Sequence, residues 1–159
     1  MIAKVDVQIA CDDEGHPASD EIESWLQRAV DVGGKNVADE VEVSIRIVDR
    51  AESRSLNREY RQQDKPTNVL SFPAGRFEGL PADAPRILGD IVICANIVNQ
   101  EAREQGKTVG EHWAHMVVHG ALHLLGFDHV DNDQALEMEG LETHILTTHG
   151  VADPYGEAR

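Results

Sequence analysis

Residues 108 to 129 read Thr-Val-Gly-Glu-His-Trp-Ala-His-Met-Val-Val-His-Gly-Ala-Leu-His-Leu-Leu-Gly-Phe-Asp-His. Thr108 is a natural N-cap, and Glu111 three residues on completes a capping box. Trp113, Met116, Val117, Ala121 and Leu124 recur at helical spacing and form one apolar stripe. The segment therefore predicts a central helix over about 109–125. Gly126 ends it, because glycine takes the left-handed conformation that a sharp C-terminal turn requires. A second stripe carries His112, His115, His119 and His123.

The end of this stretch has the skeleton His-x-x-x-His-x-x-Gly-x-x-His, made by His119, His123 and His129. Imidazoles four apart on a helix share a face, with Cβ atoms about 6 Å apart. Both can reach one ion at about 2.0–2.1 Å, and the turn at Gly126 brings the third imidazole back toward them. Three nitrogen ligands leave one position open, as in catalytic rather than structural zinc sites. The spacing matches the longer zincin pattern except at one place. Zincins carry Glu directly after the first His as general base, and here that position is Gly120. A metal cage without that carboxylate is a poor candidate for peptide hydrolysis.

The other histidines read differently. His112 and His115 lie one and two turns upstream and could substitute as ligands, but read as a partly exposed polar edge. His16, His144 and His149 read as surface residues. Asp128 either orients an imidazole or faces water. Glu137 and Glu139 offer a general base or a solvated helix face.

Working outward, residues 4–9 alternate Lys4, Asp6 and Gln8 against Val5, Val7 and Ile9, the period of a half-buried strand. A helix follows from a Ser19 N-cap to Val30, with Trp25, Leu26, Ala29 and Val30 inward, and Gly33-Gly34 stops it. Val41, Val43, Ile45 and Ile47 mark a strand over 41–48. A helix over about 51–62 puts Leu56 and Tyr60 on one face, and Asp64-Lys65-Pro66 breaks it. Residues 67–72 are β-rich and end at Pro73. Residues 74–86 read as a loop, 87–94 as a strand and 95–105 as a helix. A last helix, about 134–148, is capped by Asp131 or Asp133 and carries Leu136, Leu141 and Ile145. The order β-α-β-α-β-β-α-α-α gives an α+β (α/β layered) fold. It is expected as a four-stranded mixed sheet covered by about five helices, with the metal site at the C-terminal end of the central helix. Residues 1–150 form one domain, and 151–159 a mobile tail.

The chain has 159 residues, 41% of them hydrophobic, enough for one real core. No run of about 18 apolar residues would span a membrane. The N-terminus lacks the apolar region of a signal peptide. Cys11 and Cys94 are isolated, which suggests reduced thiols and a cytoplasmic location. The formal charge of −15, from 14 Lys and Arg against 29 Asp and Glu, argues against broad nucleic-acid affinity. Any RNA must be held locally, by a small basic patch and the metal.

That patch is sought in residues 60–73, where Arg61 and Lys65 stand out. Arg61 is suited to hold a phosphate bidentately or to stabilise charge developing on it, or else forms an ion pair at a helix end. Arg46, Arg54 and Arg58 would widen a basic strip.

Taken together, Asn57-Arg58-Glu59-Tyr60-Arg61, Thr67-Asn68-Val69-Leu70-Ser71-Phe72-Pro73, Leu88-Gly89-Asp90-Ile91 and His119 to His129 resemble the YbeY family of bacterial ribosome-maturation endoribonucleases. The likeness covers about residues 40–145. It implies a metal-dependent, single-strand-specific endoribonuclease of the cytoplasm, with ribosomal RNA, the small subunit and its assembly proteins as partners, and neither DNA nor membrane. It implies 16S rRNA 3′-end maturation and ribosome quality control. By the same likeness His119, His123 and His129 hold one Zn²⁺ or another divalent transition metal, and Arg61 and His119 are catalytic. The nucleophile stays open between an activated water and the RNA's own 2′-OH. The rival readings are a non-catalytic assembly factor with a structural metal, and a metalloprotease-like hydrolase.

Overall fold

The computed structural model describes residues 2–12, 15–34, 40–74 and 85–156. The elements follow the expected order: β1 (Ile2–Ala10), α1 (Ser19–Gly33), β2 (Glu40–Val48), α2 (Arg50–Arg61), β3 (Val69–Pro73), β4 (Arg86–Cys94), α3 (Ala95–Glu104), α4 (Val109–Leu124) and α5 (Asn132–Thr148). The four strands form one mixed sheet in the order β1-β2-β4-β3. β1, β2 and β4 are parallel, and β3 runs antiparallel to β4 at an edge. The fold is α+β, as the periodicities imply. Most of the loop expected over 74–86 lies outside the described residues. Among those described, no helix is long and apolar enough to cross a membrane.

The alternation in β2 separates two apolar layers. Val41, Val43, Ile45 and Ile47 pack with α1, α4 and α5, whereas Val48 joins Leu70, Val92, Cys94 and the Leu56 of α2. α4 is the spine of the larger layer: Trp113, Val117, Ala121 and Leu122 are each 1% exposed or less. Its capping box is present, with Thr108 and Glu111 bonded reciprocally.

Several expectations are corrected in detail. Ile9 is exposed on edge strand β1, whereas Val5 and Val7 pack against the core and Ile9 does not. Position 18, not Ser19, is the N-cap of α1, and it makes no side-chain cap bond. Tyr60 is exposed. The inward residues of α2 are Ser53 and Asn57, which fasten the segment before β3. Ser53 Oγ donates to the Thr67 carbonyl and accepts from its N–H, and Asn57 Nδ2 donates to the Lys65 carbonyl. On α5, Leu136 is exposed and the buried stripe is Met138, Glu142, Ile145 and Leu146. Asp131, rather than Asp133, caps that helix by accepting from Gln134 N–H.

Candidate metal centre

α4 sets His119 and His123 one turn apart on the side away from its apolar stripe. Gly126 then takes φ +102°, where a side chain would be strained. The Gly126 N–H donates to the His123 carbonyl at 3.1 Å, and the Phe127 N–H to the Leu122 carbonyl at 3.0 Å. This closes the helix end and returns the chain so that His129 faces the other two rings. Ring centroids lie 4.6 Å apart for 119–123, 5.1 Å for 123–129 and 5.7 Å for 119–129.

One nitrogen from each of the three rings falls within 4.8 Å of the others, and the Nε2 atoms of His119 and His123 are 3.1 Å apart. Two nitrogens on a tetrahedral zinc stand about 3.4 Å apart, so the arrangement fits an ion with small ring rotations. His123 is biased to the neutral form a ligand needs: burial lowers its pKa most, and the neighbouring His119 and His129 add to that.

The three rings open on a cleft of about 620 Å³, whose opposite wall is β3 with Arg61, Asn68 and Ser71. Arg61 is the last residue of α2 and is exposed. Its guanidinium donates to the carbonyls of Ser71 at 2.8 Å and Tyr60 at 3.2 Å and lies 5.2 Å from the centre of the Phe72 ring. Among the described residues no carboxylate pairs with it, so the ion-pair reading does not apply there. Arg46 and Arg54 are instead engaged by Glu52 and Asp64, and do not widen a free basic strip beside it.

Gly120 explains the missing protease carboxylate. A Cβ there would sit 3.0 Å from Ile91 Cγ2 and 3.4 Å from Ser71 Oγ, because α4 lies close on the sheet at this point. Ser71 Oγ also donates to the Gly120 carbonyl at 3.2 Å. Any side chain at 120 must start against Ile91 of β4 and Ser71 of β3, which leaves little room there for a glutamate.

His112 and His115 are not a polar edge: both are buried, at 2% and 9% exposure. His112 Nε2 stands 2.9 Å from Glu101, and His115 Nε2 stands 3.3 Å from the Tyr155 hydroxyl. Burial lowers the pKa of His115, against the raising effect of Glu142. Asp128 accepts the His129 backbone N–H at 2.8 Å and stays 4.0 Å from its ring nitrogen, so it shapes the turn. Glu137 and Glu139 belong to neither ligand cluster found among the described residues.

The residue that sequence reasoning missed is Glu142. It is 0% exposed, its Oε1 is 2.5 Å from His119 Nδ1, and its Oε2 accepts from the Tyr155 hydroxyl at 2.6 Å. Burial alone would raise its pKa, but hydrogen bonds from His115 and His119 outweigh this and hold it at about 2. A signal was present: Glu142 falls in register with Met138, Ile145 and Leu146, where a core helix should be apolar.

Residues 8–150 match a family model described as "Endoribonuclease YbeY". Among solved structures, the solution structure of TM1509 from Thermotoga maritima is similar to this chain, with a TM-score of 0.56 and 26% identity. The alignment covers 95% of this chain and 99% of that one.

Proposed function

Because this chain belongs to the YbeY family of endoribonucleases, we propose that it cleaves single-stranded ribosomal RNA at the cleft between α4 and β3. His119, His123 and His129 would hold one divalent ion, Zn²⁺ by the choice of three nitrogen donors. When bound, such an ion polarises a phosphoryl oxygen and makes water more acidic. The protein's own part is to bind and orient. Arg61 takes a non-bridging phosphate oxygen and stabilises charge that grows there. Asn68 and Ser71 line the opposite wall, against which a single strand would lie.

The observation that carries this reading is the convergence of three imidazole nitrogens within 4.8 Å in the same cleft as Arg61. With a formal charge of −15, affinity must come from this cleft and not from the general surface. The same reading places the protein in the cytoplasm, in 16S rRNA 3′-end maturation and ribosome quality control, alongside the small subunit and its assembly proteins.

The test is metal analysis of the purified protein together with cleavage of a defined single-stranded RNA. His119→Ala should lose both metal and cleavage. Arg61→Ala should keep the metal and lose about 10²–10³ in rate, the usual cost of removing one group that stabilises transition-state charge. Cleavage by metal-free protein would overturn the reading. A 2′,3′-cyclic phosphate on the product would assign the attack to the RNA's own 2′-OH.

A further inference from the structure

Glu142 stands behind the candidate ligands, inside the buried stripe of α5. An ionised carboxylate in such surroundings is costly unless its oxygens are met by donors. Here both are met. Oε1 faces His119 Nδ1 at 2.5 Å, and Oε2 faces the Tyr155 hydroxyl at 2.6 Å. An ionised carboxylate only accepts, so Nδ1–H and the phenol O–H are the donors. The Tyr155 oxygen is in turn 3.3 Å from His115 Nε2, which can donate to it.

A neutral imidazole carries one ring proton. With that proton held on Nδ1, His119 presents its Nε2 lone pair, and this is the nitrogen 3.1 Å from His123 Nε2 on the cleft side. We infer that Glu142 and Tyr155 are positioning residues: the buried carboxylate holds His119 in the tautomer that can bind an ion through Nε2, and Tyr155, from the segment after α5, fixes the carboxylate. This inference rests on the reading of the three histidines as metal ligands.

The inner trio of His115, His119 and Glu142 also has donor atoms within 4.8 Å of one another. Its contact between His119 Nδ1 and Glu142 Oε1, at 2.5 Å, is a short hydrogen bond, tighter than the usual charge-assisted N–H···O distance of about 2.7–2.9 Å. It is too short for two ligands of one zinc, which stand about 3.4 Å apart. The trio therefore orients a ligand and does not hold a second ion. Groups that orient metal-bound histidines in this way typically account for 10–100-fold in affinity.

The experiment uses the full chain. Imidazole ¹⁵N–¹H correlation spectra of metal-free protein, assigned against His119→Ala, read the tautomer, and competition titration with Zn²⁺ reads affinity and stoichiometry. In the wild type His119 should show the Nδ1–H form. Glu142→Gln leaves one acceptor oxygen for two donors. It should bring in the Nε2–H form and weaken zinc by about 10–100-fold, and Tyr155→Phe should weaken it by about tenfold. An Nε2–H wild type, an unchanged tautomer and affinity in the variants, or two zinc ions per chain would overturn the inference. If Glu142→Gln does not fold, Tyr155→Phe decides, with unchanged zinc affinity counting against it. A wild type that takes up no zinc overturns the metal reading instead, and the ring tautomer still decides the positioning claim.

Discussion

At position 120 an added methyl would press on Ile91 at 3.0 Å and 3.3 Å. Overpacking of this kind typically costs about 1–3 kcal/mol. Gly120→Ala should lower the unfolding free energy by that amount, seen as a lower urea midpoint at an unchanged slope, and Gly120→Glu should be worse and gain no peptidase activity. Denaturation curves and a casein assay check both. The histidine trio could be read from the sequence because its members lie within 11 residues and one glycine turn links them. Glu142 could not be assigned in the same way: its partner on α4 is 23 residues away, and a carboxylate in an apolar stripe has meaning only once the facing helix is known. Arg61 stood out by its charge, but its seat on the Ser71 carbonyl and the Phe72 ring depends on how α2 meets β3.

Among elements, α4 and β3 make the cleft, and each has a testable anchor. Thr108→Ala removes the side-chain half of the capping box and should cost about 1 kcal/mol by urea denaturation. The start of β3 is held through Asn68, which donates to Glu101, itself bonded to His112. Burial by itself would raise the pKa of Glu101, but hydrogen bonds from His112 and Asn68 prevail and lower it. The folded pKa is thus below the unfolded one. The stabilisation is full above about pH 4.3, the unfolded value for Glu, and is lost as pH falls through the folded pKa. Glu101→Gln should therefore flatten the acid limb of a stability-versus-pH curve, measured by thermal melts between neutral and acid pH. Element types and order followed from periodicity in the sequence. Which strand lay beside which, and the reversal of β3, did not, because strand partners are chosen by contacts distant in the chain.

For the whole molecule, the core closes without the rings. Trp113, Val117, Leu122, Ile145 and Leu146 are each at most 1% exposed, and none belongs to the histidine cluster. Zinc at about 100 times its dissociation constant would add about 2.7 kcal/mol to stability by mass action. A chelator should lower the melting temperature while unfolding stays a single cooperative transition by calorimetry. A metal-free chain with no transition would mean that the ion builds the fold, as a structural metal does.

The bond from Tyr155 to Glu142 sets an order of events in biosynthesis. Translation delivers Arg61 first, then the three imidazoles, and the phenol that fixes Glu142 behind His119 only after a further 26 residues have left the peptidyl-transferase centre. Those late residues are still inside the exit tunnel when the rest of the domain can begin to collapse. A nascent copy thus has all three imidazoles in hand before the hydroxyl that completes the hydrogen bonding of Glu142.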